Sequence, residues 1–198
     1  MTISEQIANF AVKLTFEELP EKVIAMAKNL LLDTLGCAIG GYTCKSSKIV
    51  RSLVGDVGGC AESTVIGSGL RTSCLDATLA NGVMVRYLDY NDVYEIPVFT
   101  PKGPTESGTH PSENIPAILA LGEREHVTGR DVIASIVLAY ELIGRFIESV
   151  TTSSFESRGW HHSTIAQYVV PAVAGKLLDL DENQIANAIG ISGCHNVT

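Results

Sequence analysis

The sequence predicts an all-α protein, a multi-helix array that forms one domain over residues 1–198. Apolar residues recur at spacings of three and four along most of the chain, as they do on the buried face of a helix. Capping sequences precede several of these patterns, and only residues 63–67 are typical of a β-strand. With 198 residues, 45% of them hydrophobic, the chain is large enough for one core.

The capping sequences locate the predicted helix starts, because a side-chain oxygen at the N-cap accepts a hydrogen bond from the first turn. Their first residues are Thr2, Thr15, Ser73, Thr128 and Asp181. The pattern after Thr15 predicts a long buried helix that Gly41 ends, with Gly36 and Gly40 permitting close approach of another helix. Further helices are expected over residues 46–54, from Ser112, and from Ser163 or Thr164.

Charge and cysteine content exclude several classes of protein. The 14 basic and 22 acidic residues give a net charge of -8, which opposes binding to nucleic acid. The five cysteines are widely spaced and contain no CxxC pair, so we expect neither disulfides nor a zinc site. The N-terminus does not resemble a signal peptide, and no apolar run approaches the ~20 residues that span a bilayer. We therefore expect a cytoplasmic protein without a membrane partner.

Two segments between helical patterns hold most of the histidines. The first is a loop rich in Pro, Gly and Thr from Asp89 to His110, and the second ends at His161 and His162. Each leads into a helix start, where unpaired N–H groups and the helix dipole attract carboxylates. We expect His110 and one of the adjacent pair to stand on either side of an anionic substrate and to transfer protons. Asp89 is suited to orienting an imidazole or accepting a substrate hydroxyl.

Simpler interpretations of these residues remain open. A histidine beside a helix start more often only hydrogen-bonds to the backbone. Asp89 and Asp92 are equally typical of solvated residues, although the C-terminal end of a helix is unfavourable for negative charge. A metal site made of Asp89, Asp92, His110 and His161 has no supporting local spacing, so no metal or other cofactor is expected. Common hydrolase, phosphate-binding and dinucleotide-binding motifs do not occur.

Five segments together resemble the MmgE/PrpD family, which includes 2-methylcitrate dehydratase, cis-aconitate decarboxylase and iminodisuccinate epimerase. They occur in the order found in that family and cover nearly the whole chain. The segments are LLDTLGCAIGG (31–41), ANGVMVRYLDYND (80–92), HPSENIPAILAL (110–121), GWHHST (159–164) and KLLDLDENQIANAIGISG (176–193).

The resemblance implies the large helical domain of a longer chain, without the lid domain and the C-terminal helices that normally complete it. Members are typically homodimers that need no metal or iron-sulfur cluster. Asp89 matches the first aspartate of the family's acidic segment, and His110 the histidine of its HPS motif. His161 matches the histidine of decarboxylase-like members and His162 that of dehydratase-like members, so both stay candidates. The family's active-site lysine and tyrosine lie downstream of residue 198, which a separate chain could supply.

The implied activity is that of a lyase acting on a small di- or tricarboxylic acid such as 2-methylcitrate. A base removes a proton next to a carboxylate, and a β-hydroxyl leaves. Val93 stands where the decarboxylase branch has threonine, which lowers the case for decarboxylation. Decarboxylation, epimerisation and a non-catalytic helical subunit or fragment remain alternatives. Arginine side chains that could bind substrate carboxylates, or form surface ion pairs, are Arg86, Arg145 and Arg158.

Overall fold

The computed structural model of the chain describes residues 1–100, 103–150 and 152–194, and within these ranges it is mostly α-helical, which confirms the predicted fold class. The α-helices are α1 (Ile3–Lys13), α2 (Glu21–Gly41), α3 (Lys45–Val57), α4 (Cys74–Arg86), α5 (Ile115–Arg124), α6 (Gly129–Ser149), α7 (Thr152–Glu156), α8 (Ala166–Leu177) and α9 (Glu182–Gly193). Three 3-10 helices cover Phe16–Glu18, Pro111–Asn114 and His162–Ile165. The strands are β1 (Ser63–Thr64), β2 (Arg71–Thr72), β3 (Tyr94–Thr100) and β4 (Gly103–Thr109).

Local capping explains where α1, α4, α6 and α9 begin. Thr2, Thr128 and Asp181 each form a reciprocal capping box, and the Ser73 side chain accepts a hydrogen bond from the N–H of Asp76. The prediction at Thr15 is wrong in one respect. This residue opens only a 3-10 helix, and α2 starts after Pro20.

The core lies between α4, α5, α6 and α8. The helix α6 packs against α2, α5 and α8, while α4 packs against α2, α3 and α5. The helices α1 and α9 pack against each other and against α8. Each of these four helices contributes large side chains that are almost fully buried, among them Met84, Ile115, Ile136, Leu138 and Val169. The packed core of these helices supports the segments that carry the histidines.

The small residues near the end of α2 let it approach α4 closely. A Cβ on Gly41 would lie 2.2 Å from the carbonyl oxygen of Met84, and one on Gly40 would lie 2.9 Å from Leu88 Cδ1. A Cβ on Gly36 would meet no atom within 4 Å. The close approach to α4 is therefore at Gly41 and not at Gly36 or Gly40, because Gly40 meets only the side chain of Leu88 beyond the end of α4.

The sequence predicted a loop from Asp89 to His110. The structure shows instead that this segment is mainly an antiparallel hairpin of β3 and β4. Tyr94 pairs with Thr109 at its open end, and Pro101 and Lys102 of the predicted loop lie outside the described residues. The pairing brings the segment before β3 next to the residues that follow β4. Asp92 and His110 are therefore neighbours in space because of the hairpin.

The sequence of β3 shows why the hairpin was missed. Tyr94 and Ile96 face the core while Glu95 and Pro97 are exposed, which is the alternation expected of a strand. Proline normally argues against a strand because it lacks an N–H group. Here β3 is paired on one side only, so Pro97 can be accommodated.

Both predicted helix starts beside the histidines also differ from expectation. Short 3-10 helices precede α5 and α8, and the N-cap residues of these 3-10 helices are His110 and His161. Ser112 and Ser163 are therefore not the N-caps of α5 and α8, and neither is Thr164. His110 and His161 each lie directly before one of these 3-10 helices.

Within the described ranges, one helix, α2, is long and apolar enough by length and composition to cross a membrane. Core helices pass the same test, and α2 carries Lys28 and Asp33 and packs against α4 and α6. One such helix is weak support for a membrane span. The cytoplasmic location stays a prediction.

The contact at Gly41 yields a stability prediction. Gly41→Ala should lower the free energy of unfolding by about 1–3 kcal/mol, because the new methyl group collides with backbone rather than with a movable side chain. Gly36→Ala is the matched control and should raise it by up to about 1 kcal/mol through helix propensity. Urea unfolding of both variants measures the difference, and equal effects would contradict the close contact.

Candidate active site

Three histidines from two distant parts of the sequence form one group, which we call the imidazole cluster: His110, His161 and His162. The ring centroids of His110 and His162 are 5.7 Å apart, and those of His161 and His162 are 3.9 Å apart. The end of β4 and the 3-10 helix after His161 are in contact, which brings the rings together. The structure thus places His110 beside His162, which in turn contacts His161.

Asp89 lies at the edge of this cluster. Its carboxylate binds the Arg86 guanidinium, and its Oδ1 is 3.6 Å from Nε2 of His110. The hydrogen bond and the charge of Arg86 lower the pKa of Asp89, so the carboxylate is ionised near neutral pH. The residue has a positive φ of 49°, a conformation that aspartate tolerates better than most residues. This turn directs the chain from α4 towards β3.

Arg86 is a component that the sequence analysis considered but did not select. Its Nε lies 2.7 Å from Oε1 of Glu113, while another of its nitrogens binds Asp89. Burial raises the pKa of Glu113, and the nearby Arg86 charge opposes that rise. The spacing of three residues between Arg86 and Asp89 on one helix end was the signal in the sequence.

The other two arginines lie elsewhere. Arg145 pairs with Glu141 at 3.2 Å on the surface of α6, and Arg158 is exposed in the turn after α7. Neither has an ion pair or hydrogen bond to the imidazole cluster in the described part of the chain. Arg86 is therefore the arginine that this structure associates with the histidines.

Asp92 connects the start of the hairpin to the rest of the site. Its backbone carbonyl is 2.9 Å from Nδ1 of His110. Its Oδ1 accepts a hydrogen bond from the N–H of Ser112 at 3.3 Å, and its Oδ2 accepts one from the hydroxyl of Tyr140 at 2.9 Å. Burial, followed by the charge of Asp92, raises the pKa of Tyr140, so this hydroxyl stays protonated and donates. Sequence reasoning missed Tyr140 and the anchoring role of Asp92.

The two adjacent histidines have different surroundings. His161 is exposed, and its Nδ1 accepts a hydrogen bond from the N–H of Ser163 at 3.4 Å. His162 is partly buried, and its Nε2 has no hydrogen-bond partner among the described residues. Burial, reinforced by the neighbouring histidines, lowers the pKa of His162 to about 4. His162 is therefore a neutral imidazole at neutral pH.

The arrangement is suited to moving protons beside an anion. It combines imidazoles with an ionised carboxylate, Asp89, which contacts both His110 and the Arg86 guanidinium. Among the described residues, no three His, Cys, Asp or Glu side chains are grouped so as to hold a metal ion. In the metal set considered from the sequence, the Asp92 carboxylate is instead hydrogen-bonded to Ser112 and Tyr140.

Comparison with known proteins identifies relatives that share this part of the sequence. Residues 5–198 match the MmgE/PrpD N-terminal domain. Cis-aconitate decarboxylase of Aspergillus terreus is 27% identical over 96% of this chain and 38% of its own length. The 2-methylcitrate dehydratase of Cupriavidus necator is 28% identical over 84% of the chain and 34% of its own length. That of Escherichia coli K12 is 26% identical over 82% and 33%. The chain thus spans well under half the length of these enzymes.

The lowered pKa of His162 predicts how stability depends on pH. An unfolded histidine binds protons below about pH 6.5, whereas folded His162 does so only below about pH 4. The unfolded state therefore binds more protons in this window, and stability falls as pH decreases from about 6.5 to 4. The expected contribution is on the order of 1–2 kcal/mol once solvent screening is allowed for.

Urea unfolding of the wild type and His162→Gln at several pH values measures this contribution. The substitution removes the titrating group and keeps a polar side chain, so the variant should lose less stability between pH 6.5 and 4. Parallel pH curves for the two proteins would show that His162 is not held neutral by the fold.

Proposed function

The chain belongs to the MmgE/PrpD family, and we propose that it carries the proton-transfer part of a hydro-lyase acting on a small di- or tricarboxylic acid such as 2-methylcitrate. The observation that supports this proposal most strongly is the imidazole cluster, which lies beside Asp89 and Arg86. The relatives of this chain include enzymes named 2-methylcitrate dehydratase.

The proposed reaction begins with a substrate carboxylate at Arg86. Asp89 binds that guanidinium, but its side chain is 67% exposed. A substrate carboxylate can therefore replace it at little cost in free energy. Glu113, whose side chain is 19% exposed, stays in place and holds the arginine. A cation beside the carboxylate stabilises the negative charge that develops when the neighbouring carbon loses its proton.

His110 is the proposed base for that proton. Its Nε2 accepts the proton from carbon, and the electron pair of the broken C–H bond forms a C=C bond as the β-hydroxyl leaves. The imidazolium formed on His110 then gives this proton to the departing hydroxyl, so water is released, His110 is neutral again and the product is an unsaturated acid. The Asp89 carboxylate, 3.6 Å from Nε2 in the free protein, favours the imidazolium that forms on His110.

Dehydration is preferred here to the other family reactions. Val93, 52% exposed after the acidic segment, has no hydrogen-bonding side chain where the decarboxylase branch has threonine. Epimerisation would use the same imidazoles without a leaving group. The relatives include a cis-aconitate decarboxylase, so the experiment below offers substrates for more than one reaction.

Deuterium exchange followed by proton NMR tests the proposal. The protein is incubated in deuterated buffer with 2-methylcitrate, citrate and cis-aconitate in separate samples. Loss of the signal of the proton next to the carboxylate, with new signals of an unsaturated product, is expected with 2-methylcitrate. The C=C bond of this product is fully substituted, so the new signal is a methyl singlet at lower field rather than an olefinic proton. The absence of both changes with every substrate would contradict the proposal and favour a non-catalytic subunit.

A matched pair of histidine variants links any turnover to the cluster. His110→Asn places an amide nitrogen near the position of Nδ1 and so keeps a donor to the Asp92 carbonyl, but it removes Nε2. We expect it to lower kcat by about 100-fold or more. His126→Asn, an exposed residue at the end of α5, should leave kcat unchanged. Equal activity of the two variants would remove His110 from the reaction.

We also propose that the protein resides in the cytosol, where free thiols such as its five cysteines are stable.

We propose further that the protein works as a homodimer, with a separate chain as the alternative partner. The exposed side of α2 supports a dimer because it carries an apolar stripe. Leu32 is 70% exposed and Ile39 is 64% exposed, and the two lie on the same side of the helix. Such a stripe can pack closely against a second helix.

Sedimentation velocity tests this assembly. The wild type should sediment as a dimer, and Leu32→Glu should sediment as a monomer because it would bury a charge in the interface. Val57→Glu is the control, since it places the same charge at an apolar residue that is 65% exposed on α3. A monomeric wild type, or dissociation by both variants, would contradict the proposed surface.

A further inference from the structure

The hydrogen bond of His110 to the backbone determines which of its nitrogens carries the proton. Nδ1 lies 2.9 Å from the carbonyl oxygen of Asp92. A carbonyl oxygen can only accept a hydrogen bond, so Nδ1 must be the protonated nitrogen of the neutral ring. The lone pair of His110 is then on Nε2, the nitrogen that faces Asp89.

His161 is hydrogen-bonded in the opposite sense. The N–H of Ser163 points to Nδ1 of His161 at 3.4 Å, and a backbone N–H can only donate. The hydroxyl of Ser163, 3.0 Å from the same nitrogen, can take either role. The Nδ1 atom of His161 is therefore an acceptor, and the proton of the neutral ring is on Nε2.

We propose that the fold holds His110 and His161 in opposite tautomers, so that His110 presents a proton-accepting nitrogen and His161 a hydrogen-bond donor to the same substrate. Asp92 and Tyr140 are the positioning residues that maintain this difference. The roles towards substrate rest on the proposed lyase function, whereas the tautomers themselves are a property of the free protein.

Asp92 can act in this way because its carboxylate is tied on two sides. Oδ1 accepts from the backbone N–H of Ser112, and Oδ2 accepts from the hydroxyl of Tyr140. The side chain of Asn91 adds a bond of 3.0 Å to the hydroxyl of Ser112. Tyr140 belongs to α6, the helix that packs against α2, α5 and α8. The carbonyl that faces His110 is thereby fixed relative to the core.

The charged groups around His110 are consistent with Nε2 as the accepting atom. Arg86 and Asp89 approach from the end of α4, and Glu113 lies in the 3-10 helix that follows His110. The distance of 3.6 Å from Nε2 to Asp89 is too long for a hydrogen bond, so the lone pair stays free in the neutral ring. Once Nε2 takes a proton, the carboxylate is close enough to stabilise the cation.

The donor on His161 has a separate role from the acceptor on His110. A neutral imidazole N–H is too weak an acid to give up its proton, but it can hydrogen-bond to an oxygen that gains negative charge. His161 therefore stabilises the charge that develops on the substrate carboxylate when His110 removes the neighbouring proton. No proton leaves His161 in this step, so the charge balance rests on His110 alone.

Two-bond proton–nitrogen correlation spectra of the 15N-labelled protein at pH 8 test the tautomers directly. Signals are assigned from their loss in His110→Asn and His161→Asn. We expect a protonated-type shift for Nδ1 of His110 and for Nε2 of His161. The same tautomer in both residues, or averaged nitrogen shifts for His110, would overturn the inference.

A pair of tyrosine variants tests the positioning residues. Tyr140→Phe removes the hydroxyl that binds Asp92, and it should increase the minor tautomer of His110 several-fold. Tyr94→Phe is the matched control, because its hydroxyl instead binds Glu148 at 3.0 Å. It should leave the His110 nitrogen shifts unchanged. An unchanged tautomer in Tyr140→Phe, or an equal change in both variants, would exclude Tyr140 as a positioning residue.

If Tyr140→Phe does not fold, Asp92→Asn replaces it, since this variant keeps the carbonyl and weakens the bonds of the side chain. The same outcomes apply to it. Failure of this inference is distinguishable from failure of the proposed function, because the spectra require no turnover. Opposite tautomers without deuterium exchange would contradict only the function, and exchange with equal tautomers would contradict only the inference.

Discussion

The hydrogen bonds of Asp92 are the interaction on which the geometry of the site depends. Through its carboxylate the residue joins the turn after His110 to Tyr140 in α6, and through its carbonyl it contacts His110 itself. The contact exists only because β3 and β4 pair and bring residues 18 positions apart into one place. A helix of the core thus sets the orientation of the His110 imidazole, whose side chain is only 13% exposed, as a precise site requires.

Electrostatics then give the two carboxylates near Arg86 different roles. Glu113 is largely buried, so it depends on the guanidinium for compensation, and removing that partner would be costly. Asp89 is mostly exposed, and water compensates for the loss of its partner. Glu113 consequently holds the Arg86 guanidinium in place, whereas another anion can replace Asp89 on it. This difference supports the proposed binding of a substrate carboxylate at Arg86.

The sequence predicted those parts of the structure that depend on neighbouring residues. The capping boxes at Thr2, Thr128 and Asp181 involve groups three residues apart, and all were identified correctly. The proximity of His110 to His162 is an exception, because it joins distant segments and was expected only from assigning both to one anionic substrate. The hairpin was missed because Pro97 and the glycines of β4 concealed a regular alternation.

The parts that the sequence did not predict depend on contacts between distant residues. Tyr140 and Asp92 are 48 residues apart, and nothing in either local segment indicates the other. Tyr140 lies on an apolar helix where a tyrosine is usually a packing residue, so its hydroxyl gave no signal. Arg86 was detectable from its spacing to Asp89, but its second partner Glu113 required the fold.

The central claim is that the imidazole cluster and Arg86 form a site for a small polycarboxylate, and titration with tricarballylate tests it most directly. This tricarboxylate has no β-hydroxyl to lose, so it should bind without reacting. We predict saturable changes in the imidazole signals of His110 and His162, none at the exposed His126, and weaker binding in Arg86→Gln. Unchanged signals at His110 and His162, or equal affinity in Arg86→Gln, would contradict the claim.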